Sequence, residues 1–383
     1  MRVLRVSHSA VVGEWRRREA ELRRLGVDVA LVSAKAWDEG GRRVVLQPEP
    51  GVTGAHTWGR HPYRFVYDPR PVWRALRSGP IDELDVLDVH EEPAALATAE
   101  VLALEWLSRR LPGRGRRRGR ARVCLYSAQN IAKRYPPPFR WFERWALRRA
   151  DGVHSCNAEA GRIVVAKGFS GMVADLGLGV DPPRGAPPGA SPAASGGESS
   201  SHSNGPLRVG YVGRLESFKG VDVAVRAVAA VADAELVVVG DGPERGALVA
   251  LADRSGVADR VRFRGPVDHD DLGAVYAALD VVVVPSLETP AWVEQFGRVA
   301  VEAMASGVAV VVSDSGALPE VVGDGAEVVP WGDPDALAAV LARLAVDPTG
   351  RARLAAAGRA RAGHFTWAAV AARHRALYDE VVA

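Results

Sequence analysis

Two glutamates eight positions apart, Glu294 and Glu302, stand in the segment EQFGRVAVEAMASG, after the apolar run at 281–284 and the loop PSLETPAWV. Phe296 and Gly297 open a helix there. If both acids are helical, eight residues turn the chain by about 800°, so their directions differ by roughly 80°. One acid then sits at the mouth of the helix and the other two turns inside. Free N–H groups at a helix N-terminus can take a phosphate, and nearby carboxylates can accept hydrogen bonds from sugar hydroxyls. A helix that starts with an acid also needs no ligand to explain it.

A second segment, VGYVGRLESFKG at 209–220, runs from strand to glycine turn to two cations, Arg214 and Lys219, ahead of the next helix. Gly213 permits a tight turn, and cations near a helix N-terminus face an anion that the helix dipole also favours. Neither G-x-G-x-x-G nor G-x-x-x-x-G-K-[ST] spacing is present, so this is neither a dinucleotide fingerprint nor a P-loop. Lys219 carries extra weight because the chain has only Lys35, Lys133, Lys167 and Lys219 against 45 arginines. Ammonium and guanidinium serve different contact geometries.

Metal-type spacings receive the structural reading. Asp268-His269-Asp270 and Asp333-Pro334-Asp335 each spell D-x-D just before an amphipathic segment, where aspartate is a common helix cap. The two cysteines, Cys124 and Cys156, lie in apolar stretches without C-x-x-C or Cys/His spacing. No metal and no cofactor are expected.

These groups need elements to hold them. The 383 residues admit two domains or one large barrel, and 48% apolar with 25% charged residues is globular composition. Strand-like runs at 3–7, 27–32, 86–90, 123–127 and 152–156 precede a Pro/Gly/Ala/Ser-rich stretch, and others at 208–212, 236–240, 261–264, 281–285 and 308–313 follow it. Longer amphipathic segments separate them, the βαβα rhythm of parallel sheets covered by helices. The expectation is α/β, two facing doubly wound Rossmann-like domains with a cleft between them, ligands binding beyond the carboxyl ends of the strands. The first domain spans 1–182 and is completed by the final helix, about 366–383. A flexible linker occupies 183–206, and the second domain spans 207–365.

Beside these spacings, GRLESFKG, VRFRGPVDHDDL, EQFGRVAVEAMASG and SDSGALPEVV together resemble, in order and spacing across about 120 residues, the donor half of retaining glycosyltransferases of family 4, whose fold is GT-B. The resemblance implies that Glu294 faces the donor sugar hydroxyls and Glu302 the nucleoside ribose. Gly213, Arg214, Lys219, Phe296, Gly297 and Arg298 would meet the diphosphate, and Val267 and Leu272 would line the base pocket. His90, ending DVLDVH, resembles the family histidine that faces the donor sugar from the acceptor side. The paired glycines of the family's first loop are reduced here to Gly13, which with Asn130 falls on the acceptor side. The closing FTWAAVAARHRALYDEVV is similar to the family's helix that returns to the first domain.

The resulting expectation is a retaining, metal-independent glycosyltransferase moving a sugar from a UDP- or GDP-linked donor to an acceptor hydroxyl. A nucleotide-sugar epimerase, a glycoside phosphorylase and a non-catalytic sugar-nucleotide or polyanion binding protein are the alternatives. Charge is divided unevenly, with 31 Lys+Arg against 21 Asp+Glu in residues 1–182 and 18 against 25 in 183–383. Eight arginines crowd residues 109–122; such a run reads first as a solvated loop, and otherwise as a contact with an anionic acceptor or a peripheral contact with a membrane, with no nucleic acid expected. No apolar run approaches the ~18–20 residues of a membrane span. The opening residues lack a signal peptide's apolar stretch, so the expected place is the cytoplasm, at the membrane inner face where the arginines touch it.

Overall fold

Valine-rich runs become strands because β-branched side chains pack well on a pleated surface, and in parallel sheets both faces are covered. The structure, a computed structural model, describes residues 1–39, 42–59, 63–78, 84–110, 120–183 and 205–383. They divide into two units, Met1–Gly179 with Trp367–Ala383, and Val180–Thr366.

In the first unit the chain runs through β1 (Arg2–Ser7), α1 (Arg17–Arg24), β2 (Asp28–Ala34), a hairpin of β3 (Ala36–Glu39) and β4 (Arg42–Val45), then β5 (Val52–Ala55). A second short hairpin pairs β6 (Thr57–Trp58) with β7 (Val66–Tyr67). There follow α2 (Pro69–Arg77), β8 (Val86–Val89), α3 (Leu96–Arg110), β9 (Arg122–Ser127), α4 (Phe139–Arg149), β10 (Gly152–Ser155), α5 (Ala158–Ala166) and β11 (Met172–Asp175). The seven-stranded sheet has the order β11-β10-β9-β8-β1-β2-β5, and every pairing in it is parallel.

The second unit contains β12 (Leu207–Val212), α6 (Val221–Ala229), β13 (Ala234–Val239), α7 (Arg245–Arg254), β14 (Val261–Arg264), α8 (Leu272–Ala277), β15 (Val281–Val284), α9 (Arg298–Ala305), β16 (Ala309–Ser313), α10 (Leu318–Val322), β17 (Glu327–Val329), α11 (Pro334–Val346) and α12 (Pro348–Ala362). Its six-stranded parallel sheet has the order β14-β13-β12-β15-β16-β17. The reversal beside β12 puts the loops after β12 and β15 next to each other, the usual place for a ligand in such a sheet. All four valines of β15 are buried.

The last helix, α13 (Trp367–Val382), belongs to the first unit, where Leu377, Tyr378 and Val381 pack with Val3, Leu22, Val86 and Cys124. Gly152 permits that approach, since a Cβ there would stand 3.0 Å from Val381 and 3.3 Å from the Cys124 sulfur. Cys124 and Cys156 are buried and not joined in a disulfide; burial pushes the first thiol well up and the second to about 12.

Sequence periodicity overlooks β3 to β7, β11 and β17. These are hairpin pieces or edge strands of four residues or fewer, too short to show a period. The expected linker lies, from 184 to 204, outside the described residues, as do 111–119 of the arginine run.

Candidate functional site

The second unit gathers its chemistry at the carboxyl ends of β12, β13 and β15. Gly213, φ 147°, follows β12 and donates its N–H to Val239 O at 2.9 Å. A Cβ on Gly240, φ 135°, would lie 1.9 Å from Gly213 O, so the loops after β12 and β13 touch only because position 240 is glycine. The chain then makes a 3-10 turn, Ser217–Lys219, and enters α6 through Gly220. The neighbouring loop is tied on by Leu287 N–H to Phe218 O, 2.9 Å.

This brings Lys219 to Glu294. Lys219 Nζ donates to Glu294 Oε2 at 2.7 Å, Ser286 Oγ donates to the same oxygen at 3.0 Å, and the ammonium lies 4.6 Å from the Trp292 ring centroid. Backbone fixes the acid as well, because Ala317 N–H donates to Glu294 O at 2.9 Å. A Cβ on Gly316, φ 55°, would approach that oxygen to 2.2 Å. Arg214 stands further out, 60% exposed, and pairs with Glu216 at 2.6 Å. Val267 and Leu272 are half-buried, Leu272 opening α8 one turn ahead of Tyr276.

Glu294 is not helical, contrary to the geometry inferred from its spacing to Glu302. Gly297 is left-handed, φ 79°, and α9 starts only at Arg298. The 80° relation between the acids therefore does not apply, and Glu302 lies one turn inside α9 instead of two. Buried there, it accepts from Arg298 Nε at 2.8 Å and from the Tyr276 hydroxyl at 3.2 Å. Burial, reinforced by Glu302, pushes the Tyr276 phenol well up. Phe296 turns into the core, edge-on to Phe365 at 5.2 Å, so only its backbone is left to meet a ligand. Of the D-x-D triplets, Asp333 caps α11, accepting from Asp335 N and Ala336 N, and Asp268 and Asp270 flank His269 at the 3-10 turn before α8.

The first unit has its own polar cluster at the carboxyl ends of β1 and β8. His90 follows β8, donates its N–H to Val6 O at 2.9 Å, and stacks on Tyr126 with centroids 3.9 Å apart. Burial and then the charge of Arg18 hold its pKa well below the ordinary histidine value, so the ring is neutral near pH 7. Its Nδ1 has no partner among the described residues. Beneath lies a cavity of about 20 Å³, room for roughly one water, bordered by Arg5, Arg18, His154 and His374.

Behind the cavity is a buried network. Asp88 accepts from His154 Nε2 at 3.0 Å, Arg18 at 3.3 Å and the Tyr378 hydroxyl at 2.6 Å. Burial alone would raise the Asp88 pKa, but His154 and Arg18 hold it well below the carboxylate range. Two further acids follow His90. Glu91 accepts from His8 N–H at 2.8 Å and the Tyr67 hydroxyl at 2.6 Å, and lies 2.6 Å from His8 Nδ1. Glu92 accepts from Ala128 N–H at 2.8 Å and Ser127 Oγ at 3.1 Å, and burial pushes its pKa to about 7. Asn130 is half-buried in the loop after β9. Gly13 opens a 3-10 turn in which a Cβ would fit, so nothing in the backbone requires glycine there.

Ser286, Trp292, His8, Glu91 and Glu92 escape a sequence reading. The one available signal is polar residues directly after strand runs, HEEP after β8 and PSLE after β15.

Residues 198–361 match the family model described as glycosyl transferases group 1. The second unit is a glycosyl transferases group 1 domain. Among relatives of the chain, a 2-deoxystreptamine glucosyltransferase of Streptomyces kanamyceticus is 35% identical over 211 residues, 53% of this chain and 53% of the relative. A D-inositol 3-phosphate glycosyltransferase of Corynebacterium glutamicum is 37% identical over 187 residues, 46% and 44% of the two chains. The chain thus spans about half the length of the curated relatives it matches. In structure, sucrose-phosphate synthase of Thermosynechococcus elongatus matches with a TM-score of 0.65 at 20% identity, covering 100% of this chain and 99% of that one. HepE of Anabaena, solved in complex with UDP, matches at 0.67 and 17%, covering 99% and 100%. At such identities the likeness concerns the fold: the group 1 domain and the first unit are the two Rossmann-like sheets of GT-B proteins.

Proposed function

We propose that the protein is a retaining, metal-independent glycosyltransferase that moves a sugar from a UDP- or GDP-linked donor to an acceptor hydroxyl. One observation carries the reading: the Lys219 ammonium and the Glu294 carboxylate meet at 2.7 Å, in the loops at the carboxyl ends of β12 and β15, Glu294 standing four residues before α9 begins. A cation and helix amides suit a diphosphate, and a carboxylate next to them suits the hydroxyls of the sugar it carries. Breaking the anomeric bond leaves positive charge on the sugar and added negative charge on the leaving phosphate. Arg214, Lys219 and the amides at Gly297 and Arg298 stabilise the latter without reorganising, an effect worth roughly 2.7–4 kcal/mol per donor.

In this reading Glu302 serves the ribose, Val267 and Leu272 the base, and His90, neutral near pH 7, the donor sugar from the first unit. Retention proceeds by front-face attack assisted by the leaving phosphate. A relative named for D-inositol 3-phosphate and the +10 balance of residues 1–182 support a small anionic acceptor on the first unit, beside Gly13 and Asn130.

The test is transfer from a panel of UDP- and GDP-sugars in excess chelator, with the anomeric configuration of the product read by NMR. Acceptor-dependent transfer with retention is expected. Interconversion of the donor without acceptor makes the protein an epimerase, dependence on orthophosphate makes it a phosphorylase, and rescue by magnesium or manganese overturns metal independence.

A further inference from the structure

Every exposed residue of α4 is arginine or tryptophan: Arg140, Trp141, Arg144, Trp145 and Arg148. At about 100° per residue they fall within roughly 140° of the helix circumference, a single stripe. The neighbouring α3 packs against α4 and exposes Trp106, Leu107 and Arg110, the arginine lying 3.8 Å from the Trp106 ring centroid. β8, β9 and β10 are successive neighbours in a parallel sheet, so right-handed crossovers place α3 and α4 on the same face of it, with outer surfaces turned the same way.

The acids of these two helices are turned away from that surface. Glu143 pairs with Lys167 at 2.6 Å, Glu105 with Arg149 at 3.1 Å, and Glu100 accepts the Tyr67 N–H at 2.8 Å. Trp141 is 58% exposed and Trp106, even with Arg110 over its ring, 47%, large areas for indoles. The surface is therefore basic, aromatic and free of exposed carboxylates among the described residues.

We propose that the α3–α4 face docks on an anionic lipid surface, the arginines meeting headgroup phosphates and the indoles, with Leu107, entering the headgroup–acyl boundary. Arginine beside tryptophan on the outer side of a helix is the chemistry of interfacial helices, since indole favours the polar–apolar boundary and guanidinium the anionic headgroups. A single-stranded nucleic acid would use the arginines and stack on the indoles but would leave Leu107 in water. Apart from Arg110, which belongs to both, the site is distinct from the arginine run at 109–122, of which 111–119 lie outside the described residues. It goes beyond the proposed transfer reaction and stands without it, because docking is read with no sugar nucleotide present.

The experiment uses the full chain with vesicles of phosphatidylcholine, alone or mixed with phosphatidylglycerol, and with brominated lipid to quench tryptophan in the interface. Wild-type protein is expected to sediment with the anionic vesicles only, weakly at high salt, and to be quenched. Each basic residue near an anionic leaflet contributes about fivefold in partitioning, so Arg140→Ser/Arg144→Ser/Arg148→Ser should bind about a hundredfold more weakly. Trp141→Ser/Trp145→Ser should lose most of the quenching while both variants keep the wild-type circular dichroism. Equal binding to neutral vesicles, no binding by the wild type, or variants that bind as it does would each overturn the proposal. Binding of a single-stranded oligonucleotide that the arginine variant loses, without vesicle binding, would assign the face to nucleic acid instead.

Discussion

Replacing Lys219 by methionine deletes the ammonium, which lies 4.6 Å from the Trp292 ring centroid, and keeps most of the apolar stem. The cost to folding follows from burial, the side chains of Lys219 and Glu294 being 27% and 11% exposed. Exposed pairs are worth about 0.2–1 kcal/mol, and breaking a fully buried pair costs about 3–5. With a quarter of the lysine in water and Ser286 Oγ still donating to the carboxylate at 3.0 Å, a loss of about 1–2 kcal/mol is expected. Ligand binding should suffer more. An ammonium has three donors, of which Glu294 takes one, and a hydrogen bond to a charged group is worth about 1.5–3 kcal/mol, so affinity for a nucleoside diphosphate should fall roughly 10- to 150-fold. Calorimetry with UDP and GDP measures the affinity, and ligand-free thermal denaturation measures the fold. A folded variant whose Kd for the nucleotide that binds wild-type protein stays within about twofold would refute the assignment of Lys219 to the diphosphate.

Three further outcomes are expected. Glu294→Gln releases Lys219 from its partner, so nucleoside diphosphate affinity should hold or rise while transfer from the sugar nucleotide falls by roughly 10²–10³, read from calorimetry and turnover together. Asp333→Ala removes the cap of α11, costing about 0.5–2 kcal/mol in urea unfolding while leaving transfer unchanged with or without added metal. Glu92 should make stability pH-dependent. Its pKa rises from 4.5 unfolded to about 7 folded, so the native state holds the proton longer and stability falls as pH climbs through that interval, then levels off. At about 1.36 kcal/mol per unit, discounted because the residue is only half-buried, wild-type protein should lose about 2–3 kcal/mol more than Glu92→Gln between pH 5 and 8. Equal losses in urea titrations at the two pH values would show that Glu92 titrates normally.

The central strands of both sheets are legible in the sequence because a strand covered on both faces must be apolar throughout, as Val281–Val284 is. Edge strands such as Met172–Asp175 and Glu327–Val329 need no such run and look like loop. At the candidate site, residue types and order single out Lys219 and Glu294, but not their contact, which spans 75 positions. Spacing also misplaces Glu294 on a helix, because only a left-handed Gly297 shows where α9 begins. The Asp88 network is illegible for a similar reason. Tyr378 lies 290 positions from Asp88, and a lone aspartate within an apolar strand gives no hint of the histidine, arginine and tyrosine that neutralise it.

The division of the first unit between Met1–Gly179 and Trp367–Ala383 has a consequence during synthesis. Until α13 emerges, the surface formed by α1 and the adjoining strands lacks its cover, and Arg18 and Asp88 lack His374 and Tyr378. Residues 180–366 must first be added, which at about 5–20 residues per second takes roughly 10–40 s. The second unit is contiguous and can fold within that delay, while the first waits with the charged, partly apolar surface that α13 covers open to the cell's chaperones. The segment that completes the first unit is thus made after the whole of the second, and a ribosome that stalls before α13 leaves a folded second unit tethered to an unfinished first one.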